Sequence, residues 1–123
     1  MHKMRKSELL SLLMADGALL IHAHPFREAS YIDHIRLYPR HVHGVEIYNA
    51  CRTDFENKLA AQYCENYGLR TFAGSDNHIG GDLPRLGGMA TERPVESARD
   101  FASLVLSGEA HPFVLDEAGL RLL

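Results

Sequence analysis

Leu69-Arg70-Thr71-Phe72-Ala73-Gly74-Ser75-Asp76-Asn77-His78 is the stretch that decides how this chain folds. Its first half, Leu69 to Ala73, is a short apolar run of the kind that forms a buried strand. Its second half sets a carboxylate and an imidazole two positions apart. Strand residues alternate faces, so a strand ending in Asp-x-His is expected to send both side chains to one side. Carboxylate oxygen with imidazole nitrogen suits a divalent metal such as Zn, Mn or Fe. Upstream, Ile21-His22-Ala23-His24-Pro25 repeats the arrangement, with histidines spaced by two at the end of an apolar run. Two such strand ends in one short chain point to part of a metal site.

Working outward, helical and strand patterns alternate. Ser7 to Ala15 reads as a helix with Leu9, Leu10, Leu12 and Leu13 on its apolar side, stopped by Asp16-Gly17. Ala18 to Ala23 reads as a buried strand that Pro25 ends. Ala29 to Leu37 reads as a helix closed by Pro39, and Val42 to Tyr48 as a second strand with Gly44 as its weak point. Thr53 and Glu56 make a capping box. Phe55, Leu59, Ala60, Tyr63 and Tyr67 then recur near the helical period up to Gly68. After the third strand, Asp76 to Gly88 is rich in glycine and reads as a loop or lid. Val95 to Leu106 reads as a last helix opened by Pro94. Val114-Leu115 and Leu120 to Leu123 read as a terminal hairpin or tail. This order implies an α/β fold of βα units with a mainly parallel sheet. Ligands in such folds gather at the carboxyl ends of strands, where His24, Glu46, Asp76 and His78 all fall.

Composition excludes several function classes. The chain has 123 residues, 46% hydrophobic and 24% charged, with a net charge of -3, which suits one small globular domain over residues 1–123. It has no basic stripe, so nucleic-acid binding is not expected. Lys3, Arg5 and Lys6 followed by Leu9 to Met14 imitate a signal peptide. Glu8, Ser11 and Asp16 interrupt the pattern, and no small-residue cleavage site follows. No apolar run reaches the roughly 20 residues of a membrane span. Cys51 and Cys64 are isolated, which favours free thiols over a disulfide. A soluble cytoplasmic protein is the expectation.

"HAHPFR" (22–27), "GVEIYNA" (44–50) and "AGSDNH" (73–78), in that order, resemble the C-terminal half of the PHP (polymerase and histidinol phosphatase) superfamily. The resemblance covers roughly Ala18 to Pro112. It implies a distorted (βα) barrel with a centre of two or three metals at the strand carboxyl ends. It also implies phosphoesterase activity, in which a metal-activated water cleaves phosphate esters or small nucleotides. Carried over by motif, His24 matches the His-Pro ligand, and Asp76 and His78 match the final Asp-x-His ligands. Glu46 matches the glutamate of a similar strand and is taken as site-lining.

Other features of the family pattern are missing. Its opening His-x-His, the Asp or His that follows, a later histidine and the bridging Glu have no matching positions. His41-Val42-His43 has the right spelling in the wrong order. A (βα) barrel typically needs on the order of 200 residues or more. The expected architecture is therefore a partial (βα) barrel of the PHP type, with about three parallel strands alternating with helices.

The remaining residues carry two readings each. His22 lines the site through a hydrogen bond or serves as a ligand. Arg27 clamps a phosphate through two parallel hydrogen bonds or sits in a surface ion pair. Asn49 holds a turn or a substrate. His34, His41, His43 and His111 read as surface or core histidines. The implied cofactor is divalent metal, absent if the chain is only a fragment. The implied partners are a phosphorylated small molecule or nucleotide, and a second copy or a complementing N-terminal half, with no membrane. The leading function is the C-terminal portion of a metal-dependent phosphoesterase. The alternative is a non-catalytic PHP remnant serving as a binding or assembly module, because half a barrel exposes strand edges and apolar faces. An unrelated flavodoxin-like domain leaves the three ordered motifs without an account.

Overall fold

The computed structural model describes residues 4–29, 35–78 and 84–123. Among them lie α1 (Lys6–Ala15), β1 (Ile21–His22), β2 (Gly44–Asn49), α2 (Asp54–Asn66), β3 (Arg70–Gly74), β4 (Leu86–Thr91), α3 (Ala98–Leu106), β5 (Ala110–Asp116) and β6 (Gly119–Leu122). The strands form two sheets. The first is parallel in the order β1-β2-β3, with Ile21 opposite Gly44 and Val45 opposite Thr71. The second is antiparallel in the order β4-β5-β6. The fold is thus mixed α/β, and the expected parallel arrangement holds for the first sheet alone.

Helix α2 forms where its cap and its apolar period agree. The Thr53 hydroxyl oxygen accepts the Glu56 N–H at 3.1 Å, and the Glu56 carboxylate accepts the Thr53 N–H at 2.9 Å. The helix lays Ala60, Tyr63 and Cys64 on Val45 of β2, with Phe26, Ile47 and Leu69 packed around them. Phe26 meets Tyr63 edge to face with ring centroids 5.9 Å apart. Val45 is fully buried, and removing such a side chain from water contributes about 1.5–3 kcal/mol. Gly44 is required beside it, because a Cβ there would overlap the Phe72 ring and stand 2.6 Å from the Arg70 carbonyl oxygen.

Helix α3 contacts β5 of the antiparallel sheet, and Leu104 and Val105 of the helix and Val114 of the strand are buried, a second packing centre. The terminal hairpin expected from Val114-Leu115 and Leu120–Leu123 is β5–β6, turned at Gly119.

Several boundaries differ from the sequence reading. Helix α3 starts at Ala98, not Val95. Ser97 caps it by accepting the Asp100 N–H at 3.0 Å, and Asp100 also takes the Glu96 N–H, holding 93–96 outside the helix. The expected loop 76–88 ends earlier, because Leu86, Gly87 and Gly88 belong to β4. Their glycines mark close backbone approach rather than a lid. A Cβ on Gly87 would stand 2.6 Å from the Gly74 carbonyl oxygen. The rest of that expected loop includes 79–83, outside the described residues. The expected helix 29–37 falls largely on 30–34, also outside them, while 35–37 form no regular element. The strand read over 18–23 is confined to Ile21–His22.

Two apolar surfaces have no cover among the described residues. Helix α1 buries none of its residues and exposes Leu9, Leu12 and Leu13. On the antiparallel sheet, Leu86, Leu115 and Leu120 stand in one cross-strand row, all exposed.

Candidate functional site

The carboxyl ends of β1, β2 and β3 converge on Glu46. Its Oε1 accepts the His24 backbone N–H at 2.9 Å and the Asn49 side-chain amide at 3.0 Å. The same amide nitrogen donates to Asp76 Oδ2 at 3.2 Å. One neutral NH2 group therefore joins two carboxylates from neighbouring strand ends. Gly74 makes room for them, since a Cβ there would overlap Glu46 Oε2.

A bulge makes this geometry possible. In β2, Glu46 pairs with Phe72 while Tyr48 pairs with Ala73, so Ile47 is the extra residue. Positions i and i+3 of a regular strand point to opposite faces. The extra residue re-aims the strand end, and Asn49 reaches the side of Glu46. No spacing rule reveals such a bulge in the sequence.

His24 and Asp76 follow their strands by two residues and both adopt left-handed backbone, with φ of 26° and 53°. They are the non-glycine residues with positive φ among the described residues. Such conformations cost a non-glycine residue on the order of 1–3 kcal/mol and cluster at functional sites. Asp76 and His78 come together beyond the end of β3, so strand alternation does not relate them. His78 Nδ1 lies 2.9 Å from the Asp76 carbonyl oxygen and 3.1 Å from Asp76 Oδ1. The His78 side chain is 79% exposed and Asp76 only 14%. His22 is half-buried in β1, and His24 lies beyond the strand, so a shared strand face does not relate them. Burial lowers the His22 pKa, and His24 lowers it further. His22 Nδ1 is buried with no hydrogen-bond partner among the described residues. Arg27 is half-buried, and its N–H donates to the His24 carbonyl at 3.1 Å.

The donor types suit a divalent cation in kind, since the Glu46 and Asp76 carboxylates are held on one amide nitrogen. In number they make part of a shell. Among the described residues, no three His, Cys, Asp or Glu side chains gather as a metal-holding group.

Sequence reasoning missed the supports. Ser75 Oγ donates to the Gly87 carbonyl at 2.7 Å and accepts its N–H at 2.9 Å, tying the strand end before Asp76 to β4. Arg85 donates to the carbonyls of Ala50 and Arg52 and to Asp54, and stacks 5.3 Å over Tyr48. Asn57 of α2 pairs with the backbone of Asn49 in both directions, at 3.0 and 3.2 Å. The available signal was a polar residue just inside a strong N-cap, which alone does not name its partner.

Comparison with known protein families gives one match, to the family described as PHP-associated, over residues 54–110. The match runs from α2 into β5, just under half of the chain. It contains Asp76 and His78 and leaves out His22, His24, Arg27, Glu46 and Asn49. Neither the curated proteins nor the solved structures give a match. Residues 54–110 of this chain are thus similar to the family described as PHP-associated.

Proposed function

We propose that residues 1–123 form the C-terminal part of a PHP-type, metal-dependent phosphoesterase, built as part of a (βα) barrel. The observation that carries this reading is the Glu46–Asn49–Asp76 cluster at the carboxyl ends of β2 and β3, with the PHP-associated match over 54–110 beside it. His24, Asp76 and His78 would hold divalent metal, Zn, Mn or Fe, with Glu46 lining the site. Such a metal lowers the pKa of bound water and polarises phosphoryl oxygens.

The chain's own residues do the rest. Asn49 orients the two carboxylates. His22, whose pKa burial lowers, lines the site. Arg27 supplies a guanidinium to the phosphate of a phosphorylated small molecule or nucleotide. A complementing N-terminal half, or a second copy, supplies the remaining ligands.

Metal content of the purified chain tests this. About one equivalent of Mn2+ or Zn2+, lost in both His24→Ala and Asp76→Ala, is the expected result. A chain that retains neither metal after exposure to excess and removal of free ion overturns it.

A second reading, a non-catalytic PHP remnant acting as an assembly module, is favoured by the exposed leucines of α1 and of the antiparallel sheet. It predicts a solution mass above that of one chain and no metal. A metal-loaded monomer counts against it.

A further inference from the structure

We infer that Asn49 is a positioning residue, whose side-chain amide ties the Asp76 carboxylate to that of Glu46 and so holds Asp76 in place for the divalent cation it would ligate, with Glu46 lining the same site. For the cation this rests on the metal-centre reading above. For the carboxylates it rests on the hydrogen-bond network alone.

Asn49 is 1% exposed, among the most buried polar residues described. A buried amide must satisfy two donors and its acceptor, and this one does. Its Oδ1 accepts the Cys51 N–H at 2.9 Å, which fixes which end of the amide is nitrogen. The Nδ2 end then has two hydrogens, with Glu46 Oε1 at 3.0 Å and Asp76 Oδ2 at 3.2 Å as their acceptors. A single donor group thus meets two like charges that would otherwise repel each other.

The backbone of Asn49 is held as firmly as its side chain. Its N–H goes to Asn57 Oδ1, and its carbonyl accepts Asn57 Nδ2 and the Arg52 N–H. The bulge at Ile47 turns the residue to this side of the strand. Helix α2, the bulge and the turn at Cys51 therefore all fix one NH2 group. Supports of this kind behind ligating groups set metal affinity by about 10–100-fold when removed.

The test uses the full chain in two arms. In the first, metal is removed and the Asn49 side-chain amide is followed by NMR. Both Nδ2 protons should exchange slowly with water. Glu46→Ala should release one of them and Asp76→Ala the other, each by about tenfold in exchange rate. An Asn49 amide that exchanges freely in the wild type, or that neither substitution touches, overturns the inference.

In the second arm, Mn2+ is titrated against the EPR signal of the free ion. Asn49→Ala should weaken binding by about 10–100-fold. Ser97→Ala, which weakens the cap of α3 away from the Asn49 network, should leave affinity within about twofold while it too lowers stability. Equal losses in the two variants would make Asn49 a mere support of the fold and overturn the inference. A wild-type chain that binds no Mn2+ overturns the metal-centre reading instead, and the amide arm then decides the positioning role by itself.

Discussion

The two sheets of this chain solve the same backbone problem differently. In the antiparallel sheet, the chain turns between β5 and β6 at Gly119, with φ of 103°. Glycine takes that conformation without steric cost. At the ends of the parallel sheet the chain also enters left-handed backbone, but His24 and Asp76 do it, at φ of 26° and 53°. The same conformation is thus left to glycine where only a turn is needed. It falls on imidazole and carboxylate where three strand ends meet. The parallel sheet accepts strain and buried polar atoms at its carboxyl end. The antiparallel sheet carries neither, and it leaves a row of leucines exposed on its outer side.

The largest test of this division asks whether the sheets unfold together. Leu104→Ala removes a fully buried side chain of α3, the helix that contacts β5, and should cost about 3 kcal/mol. The chain has no Trp and five Tyr, two of which, Tyr63 and Tyr67, stack together on α2. Tyrosine fluorescence in urea therefore reads the first packing centre. If the sheets are one cooperative unit, its midpoint falls as far as that seen by circular dichroism. A fluorescence midpoint that stays in place would mean two independent units.

Next come two glycines of the parallel sheet that differ in what a methyl group would meet. Gly44→Ala presses on the Phe72 ring and on rigid backbone at Arg70 and should cost about 2 kcal/mol. Gly74→Ala meets the tip of the flexible Glu46 side chain. It should leave the urea midpoint within what about 1 kcal/mol would move, while displacing the carboxylate from Asn49. Equal destabilisation by the two would erase the distinction between fold and site within this sheet.

The backbone contrast itself can be inverted. His24→Gly keeps the N–H that Glu46 accepts and relieves the left-handed imidazole residue. It should stabilise the chain by about 1 kcal/mol. Gly119→Ala forces a Cβ into the same region of φ and should destabilise it by about 1 kcal/mol. Thermal unfolding midpoints moving in opposite directions are the expected result. A destabilising His24→Gly would mean that the imidazole contributes more to the fold than its strain costs.

This contrast also explains what the sequence made legible. The three parallel strands, α2 with its capping box and the terminal hairpin stand out because burial and periodicity agree along each of them. The ends of those elements are less legible. Ser97 outcompetes Pro94 for the start of α3 through a side-chain bond to Asp100. Gly87 and Gly88 look like loop residues until the neighbours that crowd them are known. Of the site, Asp76, His78 and His24 could be named from motif order. The way Glu46 reaches Asp76 could not, since it depends on one unpaired residue, Ile47, and on an amide whose partners lie 3 and 27 positions away.

The smallest expected effect concerns two carboxyl groups held below their ordinary range for different reasons. Burial pushes the Glu56 pKa up, but the Thr53 and Glu28 N–H groups, the Thr53 hydroxyl and Arg52 together outweigh it and the net shift is down. Asp100 is half-buried in the first turn of α3, where it pairs with the more exposed Arg93. Its bonds to Arg93, at 2.8 and 2.6 Å, and to the Glu96 N–H bring it to about 2. In both cases the unfolded chain takes up a proton at a higher pH than the folded one. Stability from either group is therefore complete above the ordinary carboxyl value and is lost as pH falls through it toward the folded pKa. For Asp100 that window runs from 3.8 down to about 2, and for Glu56 it opens below 4.5. The two should part company in salt. Surface ion pairs are screened, with a Debye length of about 3 Å at 1 M, whereas hydrogen bonds to a buried carboxylate are not. Glu56→Gln should flatten the acid limb of the stability curve equally at low and high salt, and Asp100→Asn should do so at low salt alone. If both variants lose their effect at 1 M salt, the Glu56 shift is a matter of surface charge. The hydrogen bonds that tie α2 to the segment after His24 would then not be what holds it.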